Sequence, residues 1–145
     1  ALELTADADQ SRHARQDTRM SATPFERHRA EAAGAGRLAA PTHAASREDP
    51  ACGDRLTLEL RVAEGQIAEI AWQASACAGT LAAASALHGL ACGRPARPGA
   101  VTREELDVAL GGLPPARRHA LRLVVATLDD ALASPRPTRP GSPGS

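Results

Sequence analysis

Aromatic side chains are almost missing: the 145 residues hold one Phe (Phe25), one Trp (Trp72) and no Tyr. A close-packed core must therefore be built from Leu, Val and Ile. The 43% hydrophobic content overstates that core, because 33 of the residues are Ala. Lysine is absent as well, so all 17 basic residues are Arg, and 17 acids balance them. With no net field, nothing in the charge argues for a nucleic-acid partner. No apolar run approaches the roughly 18–20 residues that span a bilayer, so no membrane segment is expected. The opening stretch ALELTADADQSRHARQ carries charges where a secretory signal needs its apolar region. Three cysteines make an odd number, too few for a disulfide-stapled secreted fold. The expectation is a cytoplasmic protein with reduced thiols.

Residues 1–22 are polar, rich in Asp and Arg, and without periodicity, which predicts a disordered extension. Met20 reads either as the natural start or as an incidental residue of a mobile tail. Residues 134–145, with their repeated Pro, Gly and Ser, cannot sustain a helix or pack a core and are expected to be a disordered tail. The folded unit is expected at 23–133. Within it, Thr23-Pro24 opens a short helix to about Ala33, stopped by Gly34-Ala35-Gly36. Arg55–Val62 alternates Leu56, Leu58, Leu60 and Val62 with polar residues, the mark of a half-buried strand. Ala63-Glu64-Gly65-Gln66 supplies a turn, and Ile67–Ala74 returns with Ile70 and Trp72 facing alike. Thr42–Arg47 could add an edge strand. Helices follow at Cys77–Ala91, Arg103–Leu110 (capped by Thr102) and Ala116–Ala133. The last carries Leu121, Val124, Val125, Leu128 and Leu132 as an apolar stripe. A small antiparallel sheet of two to three strands against a layer of helices is an α+β fold.

Cys52 and Asp54 are separated by one glycine, so a loop can turn both side chains to one point. The hairpin runs out and back, which brings Cys77 to the same end as Cys52. Cys77 also opens a helix, whose positive end favours the thiolate that binds metal and attacks sulfur. Taken alone, either cysteine reads equally well as a small buried hydrophobe. His119 lies in the first turns of the last helix. Cys92 is 15 residues beyond Cys77 on one helix, roughly 22 Å away, and is assigned to core or surface.

These segments resemble the iron–sulfur cluster assembly scaffold family of the IscU/NifU type. Pro50-Ala51-Cys52-Gly53-Asp54 is that family's P-x-C-G-D motif as it stands, and Gly65–Ile70 resembles its G-x-I-x-x-I strand entry. Cys77-Ala78 resembles its second cysteine motif, followed by the small-residue helix at Ala82, Ala84 and Ser85. Leu113-Pro114-Pro115-Ala116-Arg117-Arg118-His119 resembles the L-P-P-V-K-x-H segment before its third cysteine, and His28, Gly36 and Leu38 fit an upstream signature. The resemblance covers about 25–132. It departs where Ala120 stands in place of the third cysteine, where Ala74 and Ala76 replace glycines, and where Glu31-Ala32 replace Asn-Pro.

The resemblance implies a scaffold, not an enzyme, that holds iron and sulfide transiently at Cys52, Asp54, Cys77 and His119. It implies a transient 2Fe–2S cluster handed on to apo acceptor proteins. It also implies sulfur from a cysteine desulfurase and a Hsp70-type chaperone recognising Leu113–Arg117. With the third thiol missing, Cys77 is the candidate persulfide acceptor. The same four groups suit zinc or iron, so a zinc-binding interaction module is a rival reading. A SufE-like persulfide acceptor is another, opposed by the Cys-Gly-Asp motif and the second cysteine.

Overall fold

A computed structural model describes residues 23–133. The extensions expected at 1–22 (with Met20) and 134–145 lie outside the described residues. In chain order the elements are α1 (Pro24–Glu31), β1 (His43–Asp49), β2 (Asp54–Ala63), β3 (Gln66–Ser75), α2 (Ala78–Ala91), α3 (Arg103–Ala109) and α4 (His119–Ala133), with a 3₁₀ turn at Pro115–Arg117 before α4. The strands form one antiparallel sheet in the order β1-β2-β3. The α+β architecture expected from the pattern is the one observed. No helix among the described residues is long and apolar enough to cross a membrane.

The sheet follows from alternation corrected by one bulge. Leu56, Leu58 and Leu60 of β2 are fully buried. On β3, Ile67 and Ile70 are both buried although they are three residues apart, which strict alternation would put on opposite faces. The register shifts between Arg61 and Val62: Arg61 pairs with Glu69 and Val62 with Ile67, so Ala68 is the extra residue. The β2–β3 turn has positive φ at both Glu64 (55°) and Gly65 (75°), the pairing that a two-residue hairpin of matching twist requires.

Helix α2 lies against β3 and α4 against β1 and β2, and the two helices also touch each other. Their contact uses small side chains. A Cβ built on Gly79 would stand only 3.5 Å from Cβ of Ala120 and of Arg117, so α2 and α4 approach closely near their N-termini. Along α4, Leu121, Val124, Leu128 and Leu132 are buried as the stripe predicts, and Val125 is half-buried at its margin. Helix α4 starts later than the expected Ala116. Pro114 is extended and Pro115 opens a 3₁₀ turn, with Arg118 N–H bonded to Pro115 O, so the α-helix begins only at His119. Helix α1 ends at Glu31 because Ala32 turns left-handed at φ 46°.

Helix α1 has no fully buried residue; Phe25 packs partly buried against the core under Arg117, and polar ties add to it. Ser85 Oγ bonds His28 Nδ1 (3.1 Å) and accepts Ala33 N–H (3.0 Å), and Trp72 Nε1 donates to Ala33 O (2.7 Å). Gly34 sits in this tie at φ +86°, where an added Cβ would stand 2.5 Å from Cδ2 of His88. Gly34→Ala is therefore expected to destabilise the fold by about 1–3 kcal/mol. Thermal unfolding should show a midpoint lowered by several degrees; an unchanged midpoint would mean that this tie does not carry the packing of α1.

Candidate metal centre

Three chain ends meet in one place. Asp54 is the first residue of β2, Cys77 is the N-cap of α2, and His119 is the first residue of α4. Asp54 holds the first two together. Its Oδ1 accepts Cys77 N–H (3.0 Å), and its Oδ2 accepts the Thr80 hydroxyl (2.8 Å) and the Cys77 thiol (3.1 Å). The carboxylate therefore satisfies donors at the start of α2 that would otherwise lack partners. His119 Nε2 closes the group, 3.5 Å from Cys77 Sγ and 3.5 Å from Asp54 Oδ2. Upstream of His119, Asp107 accepts Leu113 N–H and Arg118, both at 2.8 Å, which fixes the segment that delivers the histidine.

Asp54 is 3% exposed. Burial pushes its carboxyl up, but the hydrogen bonds from the Cys77 thiol, Thr80, the Cys77 backbone and Cys52 outweigh it and hold Asp54 below the usual carboxylate range. Cys77 and His119 are half-buried, and the His119 wall opens on a groove of about 450 Å³ shared with Asp49, Arg103 and Arg122.

The triangle of Asp54 Oδ2, Cys77 Sγ and His119 Nε2 has edges of 3.1, 3.5 and 3.5 Å. Metal–sulfur bonds of about 2.3 Å and metal–nitrogen or –oxygen bonds of about 2.0–2.2 Å at tetrahedral angles give ligand separations of about 3.3–3.6 Å. The two edges to His119 match one face of a tetrahedral zinc or iron site, and the 3.1 Å sulfur–oxygen edge is a hydrogen-bond contact that has to widen by a few tenths of an ångström to admit an ion. The thiol proton now bridges sulfur and carboxylate, and a cation taking its place would meet both.

Of the four residues singled out from the sequence, the structure brings Asp54, Cys77 and His119 into this triangle. Cys52 falls in a second group with Asp49 and His119, whose ligand atoms also lie within 4.8 Å of one another. Cys52 is exposed on the β1–β2 loop, and its thiol is pushed up by desolvation and by the nearby Asp49 and Asp54 carboxylates, against a hydrogen bond from the Asp54 backbone. Cys92 is the C-cap of the unbroken 14-residue α2, at the far end from Cys77. Asp49 and Thr80 are the site residues that sequence reasoning missed. Asp49 pairs with Asp54 across the β1–β2 ladder, a register that extending the edge strand beyond Arg47 to Pro50 would have shown. Thr80 is signalled only by its place three residues after the helix cap.

Residues 27–137 match the family described as the NifU-like N terminal domain. The chain is 36% identical over 100 residues to the bifunctional protein NifU/MnmA of Rubrobacter xylanophilus, a match covering 67% of this chain and 20% of that one. It is 32% identical over 85 residues to the iron-sulfur cluster assembly scaffold protein IscU 1 of Archaeoglobus fulgidus, covering 58% of this chain and 56% of the relative. The chain thus spans between a fifth and about half of the length of these curated relatives. The fold resembles the crystal structure of a nitrogen-fixing NifU-like protein (N-terminal) from Brucella abortus, with a TM-score of 0.63 at 19% identity over 77% of this chain and 91% of that one.

Because Asp54 ties β2 to α2, Asp54→Ala is expected to destabilise the fold, while Cys52→Ala is not. Leaving the buried Cys77 N–H and Thr80 hydroxyl without an acceptor costs about 1–3 kcal/mol per group. An exposed substitution costs within about 0.5 kcal/mol. Urea unfolding of the metal-free proteins measures both, and equal midpoints for the two variants would contradict the role given to Asp54.

Proposed function

The chain belongs to the NifU-like N-terminal domain family, and from that premise we propose that it is a scaffold for iron–sulfur cluster assembly. It holds iron and sulfide transiently through Cys52, Asp54, Cys77 and His119 and passes the cluster to apo acceptor proteins. The observation that supports this reading is the Asp54–Cys77–His119 triangle, whose two edges to His119 suit a single first-row ion and whose sulfur–oxygen edge needs only a small widening. The cluster is cargo, not a resident cofactor, so the site must grip and let go. Thiolate and imidazole supply the grip. The Asp54 oxygen is a harder ligand that a sulfide-bridged cluster prefers less, which eases release. No turnover chemistry is assigned to the protein itself.

Sulfur arrives as a persulfide from a cysteine desulfurase. The Cys77 thiolate attacks the outer sulfur of the donor persulfide, a new S–S bond forms on Cys77, and the desulfurase leaves as its thiolate. The position of Cys77 at the N-terminus of α2 and beside His119 supports its assignment as acceptor. The segment Leu113–Arg117 is offered to a Hsp70-type chaperone. Leu113 is buried, whereas Pro114, Pro115, Ala116 and Arg117 are exposed, so the exposed residues form the reading surface. A cytoplasmic location completes the proposal.

The zinc-binding module stands as a second reading, because one triangle of three ligands suits a single ion as well as a cluster. Anaerobic reconstitution with desulfurase, cysteine and ferrous iron separates them. The expected result is the visible absorbance of a 2Fe–2S cluster, lost in Cys77→Ser, together with intact masses showing one added sulfur on wild type and none on Cys77→Ser. Tight zinc binding without any visible chromophore would leave the zinc module standing in place of the scaffold. A sulfur adduct that persists in Cys77→Ser and vanishes in Cys52→Ser would move the acceptor to Cys52.

A further inference from the structure

Asp49 lies outside the Pro50–Asp54 motif, yet its carboxylate, Cys52 Sγ and a ring nitrogen of His119 are mutually within 4.8 Å. We propose that Asp49 is a metal ligand, forming with Cys52 and His119 an outer station that shares its histidine with the inner Asp54–Cys77–His119 triangle. The inference rests on the metal-scaffold reading above and adds a donor to it.

Asp49 is placed as a ligand must be. It ends β1 in register with Asp54, and the following Pro50 keeps it extended. Its Oδ1 accepts Ala51 N–H at 2.9 Å, which orients the carboxylate. A ligating carboxylate steadied by a hydrogen bond on its other oxygen is the usual arrangement around bound metals. Cys52 can close the remaining distance because it is exposed and precedes Gly53, at φ +75°.

The chemistry of the three groups agrees. Cys52 Sγ and an Asp49 carboxylate oxygen lie within 4.8 Å of each other. Binding a divalent cation breaks the S–H bond, forms a metal–sulfur bond and releases one proton to solvent, so the new positive charge meets a thiolate and a carboxylate. Ala120 offers only a fully buried methyl, packed toward Gly79. One imidazole stands in both triangles, so the inner and outer donors are neighbours around His119.

The test uses the full chain and Co²⁺, whose visible and near-ultraviolet bands report thiolate ligation. Cys77→Ser removes the inner thiolate and should still bind Co²⁺ with a one-thiolate spectrum. Adding Asp49→Asn should weaken that binding by about tenfold or more. Asp49→Cys in the otherwise wild-type chain should add thiolate charge-transfer intensity, a gain that misfolding cannot imitate. If Cys77→Ser binds no Co²⁺ while wild type does, the outer station is not a site and only this inference is lost. Unchanged affinity in Asp49→Asn overturns it too. So does raised affinity, because Asp49 would then merely hold Cys52 away from the metal. Wild type failing to bind any metal would instead remove the scaffold reading itself.

Discussion

The Asp54 carboxylate is the pin on which the arrangement turns. It is buried at the first position of β2, and its two oxygens take the Cys77 N–H, the Thr80 hydroxyl and the Cys77 thiol. A buried carboxylate is tolerated only when its lone pairs are filled, and here the opening turn of α2 fills them. Strand and helix are thus locked at the point where Asp54, Cys77 and His119 meet. Under the proposed function the pin would also be a ligand, and metal binding would exchange one of its hydrogen bonds without releasing the others. The Cys77 thiol proton is the natural one to go, because sulfur gives up that proton when it ligates, while the backbone N–H and Thr80 stay in place.

The third donor depends on packing. His119 reaches the pin because α2 and α4 meet through Gly79 and Ala120, where a Cβ on Gly79 would already be in van der Waals contact with Ala120 and Arg117. The Pro114-Pro115 pair delays the helix so that it starts at the histidine, and Asp107 anchors the approach through Leu113 and Arg118. Starting α4 at His119 sets the imidazole beside the N-cap of α2. The alanine-rich composition, which contributes little to a hydrophobic core by area, is what permits this closeness.

Much of this was legible in the sequence. The alternation of Leu56, Leu58 and Leu60 marks β2, the Glu64-Gly65 turn marks the hairpin, and Thr102 with Glu105 forms the capping box of α3. The hairpin geometry alone brings Cys77 back toward Asp54. Two things were not legible. The bulge at Ala68 has no residue signature, so Ile67 appears out of phase with Ile70 until the register is seen. The edge strand β1, HAASRED, is short of apolar residues and half exposed, so its end at Asp49 was hidden, and with it Asp49's place opposite Asp54. Edge strands facing solvent owe their pairing to their neighbour and leave little pattern of their own.

The donor set of the described residues bears on what the site can do. Among them, His119 is ringed by two thiols and two carboxylates, and the next residue, Ala120, is a buried methyl. Each exchange of sulfur for oxygen makes a site harder, weakening its hold on soft, sulfide-bridged iron relative to single divalent ions. A loss of about 1.4 kcal/mol in that hold is a tenfold change in affinity, and it falls mainly on the rate of release. A storage site would be harmed by such a change, whereas a carrier that must surrender its cargo is served by it. The exposed side of the centre works in the same direction. Cys52 is exposed and Asp49 half-buried while Asp54 is buried, so under the proposed function an incoming ligand would meet the β1–β2 loop, turning through Gly53, before it met the buried carboxylate.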